Sequence, residues 1–310
     1  MSITDWDNPK MVESIKDNHH LYMATGQISK FKTLFEVIKD IVLEDINIVF
    51  EKKFISVIKE NSNKKSMVHL KLDTEFFEFY HTSNDSITIG VNSINFYKII
   101  KTAKNNDDTI TLLVKKNQNN RILTIKIENS EKNTISEDEI IILDFEEDPC
   151  VMPDEVEYPG SIITPSKQFQ DIFKNIKSKS SKRSNKIVSI EHTGDQLVFK
   201  YDGEISKQKN ILGYSKILKN GRNLYANIDP KGDNLKSIID KEYSNQDDAN
   251  NDDIIQGSYD LDYLIIFAKA TNLNTLMLIR IQNDLPLIIE YKVGVLGRLH
   301  LLLNPLENDY

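Results

Sequence analysis

The strongest constraint on this chain is that one apolar spacing occurs twice. Phe31, Leu34, Phe35 and Ile38 read F-x-x-L-F-x-x-I, and Phe169, Ile172, Phe173 and Ile176 read F-x-x-I-F-x-x-I. Steps of three and four residues put such side chains on one stripe of a helix. In both halves the period then shortens to two. Val68, Leu70 and Leu72 alternate with His69, Lys71 and Asp73, Phe77 and Phe79 follow, and later runs cover Ile110–Val114 and Leu123–Ile127. In the second half Val188 and Ile190 lead to Leu197, Phe199 and Tyr201 before an Asp202–Gly203 turn, then to Leu276–Ile281 and Leu287–Val293. A second helix is predicted over about 93–104, with Ile94, Tyr97 and Ile100 on one face, and a fourth over about 259–271. Helix, strands, helix, strands, stated twice, predicts an α+β fold. It would hold two similar domains, each an antiparallel sheet with helices on one face.

The pattern breaks over about 137–159, within SEDEIIILDFEEDPCVMPDEVEYPG, where acidic residues and three prolines surround a short apolar stretch. That composition predicts an interdomain connector. The expected layout is a flexible extension over 1–20, a first domain over 21–140, a connector over 141–158 and a second domain over 159–310. Residues 213–253, rich in Lys, Asn and Asp, read as an insertion or long surface loop in the second domain.

Several function classes lack their chemistry. The eleven glycines are scattered and form neither GxxxxGK[ST] nor GxGxxG. Cys150 is the one cysteine, which excludes a disulfide framework and a cysteine-based zinc finger. His19–His20 falls in the extension and reads as a polar pair rather than a metal site. Glu137, Asp138 and Glu139, like Glu146, Glu147 and Asp148, read as solvated linker carboxylates rather than general acids or metal ligands. No apolar run approaches the roughly 20 residues of a membrane span, and the polar first residues carry no secretory h-region. The expectation is a soluble intracellular protein that is not an enzyme, with no catalytic residue, metal or cofactor and no membrane partner.

Charge is distributed unevenly. With Lys+Arg 39 against Asp+Glu 47 the net charge is −8, which excludes a uniformly basic nucleic-acid binder. The predicted helices run against that balance. No acid occurs from Ser93 to Asn106, where Lys98, Lys101 and Lys104 recur every third residue. From Ser166 to Lys186 six lysines and Arg183 face only Asp171, while Lys30, Lys32 and Lys39 lie on the first helix and Lys269 on the fourth. A solvated face explains lysines on any single helix. Four helices sharing the bias on an acidic body point to a positive lining for a polyanion.

Three segments carry a resemblance. YLIIFAKATNLNTLMLIRIQNDLPLIIEYKVGVLGRLHLLLNP (263–305) resembles the last third of the sliding clamps of the proliferating cell nuclear antigen family. ITIGVNSINFYKIIKTAKNNDDTITL (87–112) is similar to the family's second helix with its Gly-Val-Asn entry, and MPDEVEYPGSIITPSKQF (152–169) to the end of its connector. The resemblance spans roughly 26–212 and 254–305. It implies the DNA-clamp fold, assembled as a homotrimeric ring whose helices line a hole around double-stranded DNA. It also implies a processivity factor that tethers a DNA polymerase and other clients bearing a clamp-interacting peptide, and that is loaded by an ATPase clamp loader. The expected location is the nucleus, or a cytoplasmic replication site for a large DNA virus.

On this resemblance the channel residues are Lys32, Lys39, Lys98, Lys101, Lys104, Lys174, Lys177 and Lys269. The client pocket would use Cys150, Met152, Pro153, Tyr158, Pro286, Leu302, Leu303 and Asn304, with Leu299 left as core. Ile58 and Lys64 fall where the family completes the pocket. Asp171 and Asp262 stand where the family often has arginine, which makes the lining less positive. Those aspartates and the insertion support an alternative, a clamp-fold adaptor that binds replication or transcription proteins without encircling DNA. Ring closure would join edges at about 134–143 and 203–212.

Overall fold

The computed structural model describes residues 6, 8–104, 108–116, 121–129, 131–145, 150, 158, 160–181, 186–193, 196–204, 206–213, 215–219, 222–226 and 255–306. The chain divides into two compact units, one of residues 1–62, 67–152 and 292–299, the other of 63–66, 153–291 and 300–310.

The chain runs α1 (Pro9–Asn18), β1 (His19–Thr25), α2 (Ile28–Val42), β2 (Asp45–Glu51), β3 (Phe54–Glu60), β4 (Ser66–Asp73), β5 (Phe79–Thr82), β6 (Ser86–Asn92), α3 (Ser93–Ile100), β7 (Asp108–Lys115), β8 (Ile122–Asn129) and β9 (Thr134–Ile141). The second half follows as β10 (Gly160–Pro165), α4 (Ser166–Lys179), β11 (Ile187–Thr193), β12 (Gln196–Asp202), β13 (Lys207–Gly213), β14 (Ser215–Lys219), β15 (Arg222–Ala226) and β16 (Ile255–Asp260). It closes with α5 (Leu261–Phe267), β17 (Leu276–Ile281), β18 (Leu287–Lys292) and β19 (Gly297–Leu303).

The repeat extends to strand pairing. β1 pairs antiparallel with β7, as β10 does with β17. β2 pairs antiparallel with β6, as β11 does with β16. In the first unit a five-stranded sheet runs β5-β1-β7-β8-β9, and in the second a four-stranded sheet runs β13-β12-β11-β16. α3 and α5 are both capped by the side chain of the residue before them. The Asn92 side chain accepts the Asn95 amide at 3.1 Å, and Asp260 accepts that of Asp262 at 2.9 Å. Both helices end on residues of identical dihedrals, Lys101 and Ala268.

Apolar stripes seat the helices. α2 buries Phe31, Leu34, Phe35, Ile38 and Ile41 and packs on α3, and α4 buries Phe169, Ile172, Phe173 and Ile176 and packs on α5. Phe35 meets Phe31 and Phe96 edge-on at 4.9 and 4.8 Å. Phe173 meets Phe169 at 4.6 Å and Phe199 at 5.6 Å. Burying each such ring contributes about 1.5–3 kcal/mol.

Three expectations need correction. Residues 9–18, read as flexible, form α1. Pro9 opens the helix and Asn8 caps it by accepting the Lys10 amide at 3.1 Å. Its Ile15 joins Tyr22, Ala24 and Leu113, and Trp6 stacks on Phe79 with 4.9 Å between ring centroids. His19 and His20 accordingly sit on β1, where their Nδ1 atoms lie 3.0 Å from the Ile15 carbonyl and 2.9 Å from Ser83 Oγ. The predicted insertion begins as a hairpin, β14–β15, whose second strand pairs parallel with β10; its remainder, 227–253, lies outside the described residues. The predicted second and fourth helices are shorter than their periodicity. Lys101 and Thr102 turn out of α3, and Tyr259 and Asp260 belong to β16 because Asp260 spends its side chain as the cap.

The connector leaves the first unit in contact with it. Ile142 donates to the Arg121 carbonyl at 2.8 Å and Leu143 to that of Gly90 at 2.9 Å. A Cβ at position 90 would lie 2.3 Å from the Leu143 oxygen, so only glycine admits this crossing. The acidic run Glu146, Glu147 and Asp148 lies outside the described residues.

Candidate nucleic-acid interface and partner groove

In the first unit the helical lysines separate into two kinds. On α2, Lys32 donates from Nζ to the Ala103 carbonyl at 2.6 Å, at the end of the α3 turn. Lys39 pairs with Asp40 and stands 5.0 Å from the Tyr97 ring centroid. Both side chains are half-buried, and Lys30 is held below the usual ammonium pKa by burial. The lysines of α3 and its exit, Lys98, Lys101 and Lys104, are exposed, and Lys98 makes a 3.4 Å contact to Asn95 Oδ1.

In the second unit the first helix carries the exposed cations. Lys174, Lys177 and Lys179 project from α4, with Lys174 donating to Gln170 at 2.8 Å, and Lys269 is exposed beyond α5. Asp171 and Asp262 are each engaged: Lys167 reaches Asp171 at 2.7 Å, and Lys186 reaches Asp262 at 2.5 Å. That hydrogen bond raises the Lys186 pKa above its ordinary value. The two aspartates therefore cancel neighbouring lysines rather than leave bare negative charge. Lys179 is absent from the expected set although it lies in the same lysine-rich run. Its signal is that no acid follows Asp171 on α4, so nothing on that helix beyond Asp171 opposes its charge.

Ammonium groups on flexible stems make point contacts with phosphate and read no base edges. Exposed Lys98, Lys101, Lys104, Lys174, Lys177 and Lys269 are suited to such contacts. Lys32 and Lys39 hold helices together instead.

The groove residues divide as well. Tyr158 is buried to 9% exposure and donates to the Pro286 carbonyl at 3.1 Å, and burial pushes its phenol pKa up. Leu302 and Leu303, expected to face a peptide, are 2% and 0% exposed. They are core, as Leu299 is, because β19 turns successive side chains into packed layers. Asn304, just beyond, is exposed and donates its amide to the Lys65 carbonyl and its side chain to that of Lys64, at 2.9 and 2.7 Å. Ile58 is half-buried on β3, Lys64 is exposed with positive φ, and Cys150 is partly exposed. Met152 and Pro153 lie outside the described residues.

Two family models match the chain. The description "Proliferating cell nuclear antigen, N-terminal domain" covers residues 21–149, and "Proliferating cell nuclear antigen, C-terminal domain" covers 232–306. The chain belongs to the proliferating cell nuclear antigen family. A relative described as "Probable DNA polymerase sliding clamp 1", from Paramecium bursaria Chlorella virus 1, is 26% identical over 294 residues, 94% of this chain and 98% of that protein. "Proliferating cell nuclear antigen" of Chaetomium thermophilum is 25% identical over 283 residues, 91% of this chain and 96% of its own. The crystal structure of the proliferating cellular nuclear antigen from Entamoeba histolytica has the same fold, with a TM-score of 0.72, 18% identity, and coverage of 93% of this chain and 100% of that one.

Within the family, α2 and α3 fall in the first match and α5 in the second, whereas α4 lies in neither.

Proposed function

We propose that this protein is a DNA sliding clamp, a processivity factor that encircles duplex DNA and tethers a polymerase. The observation that carries the reading is the pair of family matches, supported by a repeated fold whose helices carry exposed lysines on an acidic chain. Three copies would close a ring, opened and loaded by an ATP-driven clamp loader. Lys98, Lys101, Lys104, Lys174, Lys177 and Lys269 would touch phosphates loosely. Weak contacts suit a ring held by topology, because tight binding would only slow its sliding. Client peptides would dock on the second unit near Tyr158, Pro286 and Asn304. The work would be done at nuclear or viral replication sites. Ion-paired Asp171 and Asp262 remove one ground for the adaptor alternative.

Light scattering across a dilution series should report a mass near three protomers. The loaded protein should remain on nicked circular plasmid, be lost on linearisation, and raise the length of product a polymerase makes per binding event. A persistent monomer without retention on circles would overturn the reading.

A further inference from the structure

α1 precedes the family match, which begins at residue 21. It lies over the face of β1 that carries Tyr22 and Ala24. There Ile15 clusters with both and with Leu113 of β7, and Trp6, Met11 and Phe79 of β5 pack around them. His81 pairs directly with Tyr22 across β5 and β1, which puts both side chains on that face.

Little holds α1 down. Ile15 is its one buried residue, and Trp6 Nε1 is buried without an acceptor, which costs free energy. The helix passes into β1 at His19 with no residue between, and the register of β1 against β7 shifts between His19 and Leu21. An irregular ladder at the junction lets the helix swing about it without breaking regular pairing.

Two imidazoles sit at this junction, each fixed by the backbone. His19 Nδ1 donates to the Ile15 carbonyl at 3.0 Å, in the last turn of α1, and the His81 ring hydrogen-bonds the His19 backbone. A carbonyl only accepts, so each neutral ring keeps its proton on the bonded nitrogen and a lone pair on the other. For His81 that other nitrogen is Nε2, buried with no partner. A proton added there meets no acceptor and no counter-ion. The charges acting on the two rings are all positive: Lys16 of α1, Lys115 of β7, Lys116 just beyond it, and His19 itself on His81. Lys10, Glu13 and Asp17, the other charges of α1, are exposed and do not figure among them. His20 lies 2.9 Å from Ser83 Oγ, and burial pushes the Tyr22 phenol up to about 12, so it stays neutral. Lys116 is held in place, donating to the Lys16 carbonyl at 2.9 Å.

We infer that α1 is a strap, closed over Tyr22, Phe79 and Leu113 while His19 and His81 are neutral, and swung open about Asn18–His19 once both are protonated. Closed, the neutral rings clamp backbone to backbone. Protonated, they add two positive charges beside three lysines, one of them at a nitrogen without an acceptor. Opening withdraws Lys16 and admits water to His81 Nε2. The Ile15 carbonyl favours charge on His19, but burial and the lysines outweigh it. Both rings therefore sit below the ordinary imidazole value when closed. The stability they lend the closed strap is complete above about pH 6.5 and is lost as pH falls through their folded values.

Trp6 is the one tryptophan, so its emission reports the strap in the full chain. Between pH 8 and pH 5 that emission should shift to the red and become quenchable by acrylamide, while the amides of β2 and β11 keep their hydrogen-exchange protection. Uptake of two protons should raise the opening constant by up to about 100-fold per pH unit, against about 10-fold in H19Q or H81Q. H19Q/H81Q should show no transition. K115Q removes a charge near His19 and no described hydrogen bond, and should move the transition to lower pH. It keeps the test decisive if the glutamines themselves loosen the strap. Constant emission down to pH 5, loss of β2 and β11 protection together with the red shift, an unmoved transition in K115Q, or a transition retained in H19Q/H81Q would each overturn the inference.

Discussion

The two units share an architecture and differ in where it leaves charge exposed. In the first, α2 spends Lys32 and Lys39 on contacts with Ala103, Asp40 and Tyr97, and exposed ammonium groups appear on α3 and its exit. In the second, α4 keeps Lys174, Lys177 and Lys179 exposed, and Lys269 stands beyond α5. The aromatic clusters differ in parallel. The third ring against Phe35 comes from α3 as Phe96, whereas against Phe173 it comes from a strand as Phe199. Helix-to-helix packing in the first unit brings α2 close enough for its lysines to reach its neighbour. Duplication therefore conserves the scaffold and leaves the exposed cation assigned by local packing.

The largest effect should come from the clusters. Phe35→Ala and Phe173→Ala should each cost about 3–5 kcal/mol in urea unfolding. Phe35→Ala should also release Lys32 from Ala103, seen as a gain in salt-dependent DNA affinity that Phe173→Ala lacks. Equal salt behaviour of the two would break the proposed link between packing and exposed charge.

Next come the cations. Each exposed lysine lost should lower the log–log salt slope of duplex binding by about 1. K98Q/K101Q/K104Q and K174Q/K177Q should therefore flatten that slope. K32M/K39M should leave it nearly unchanged while costing about 1 kcal/mol of stability through the lost bond to Ala103. A flattened slope in K32M/K39M would show that half-buried lysines serve DNA after all.

The repeat itself was legible because apolar period depends on local geometry, and Phe31 to Ile38 and Phe169 to Ile176 took the helices they predicted. Residues 9–18 were not, because the short apolar pair Met11 and Ile15 gains its partners, Tyr22, Ala24, Leu113 and Phe79, from elements that follow later in the chain. Leu302 and Leu303 were misread for a related reason. Adjacent apolar residues on a strand point to opposite faces, and nearness to the chain end does not say whether both faces are covered. Nor could spacing separate Lys39 from Lys98, since both lie on the polar side of a helical stripe and only tertiary neighbours distinguish them.

A smaller effect concerns the paired aspartates. Asp171→Asn should release Lys167 and steepen the duplex salt slope by up to about 1, at a stability change of about 0.5 kcal/mol or less, as expected for an exposed i,i+4 pair. An unchanged slope would mean that Lys167 does not reach phosphate.

The smallest effect separates the units by pH. In the first, burial holds His19 and His81 below the ordinary imidazole pKa, helped by Lys115 and Lys116 for His19 and by Lys16 and Lys116 for His81. In the second, burial alone lowers His192. With folded pKa values below the unfolded value of about 6.5, the unfolded chain binds protons first as pH falls. The associated stability is complete above that value and is lost on acidification toward the folded pKa values. Urea midpoints should therefore fall between about pH 7.5 and pH 5.5, and less so in H19Q/H81Q and in H192Q. Raising the salt to about 1 M should screen the lysine contribution to His19 and His81 and shrink their part of the loss, while the His192 part persists, since desolvation is not screened. If salt relieved both parts equally, the charge crowding around α1 and β1 would not be what distinguishes the first unit.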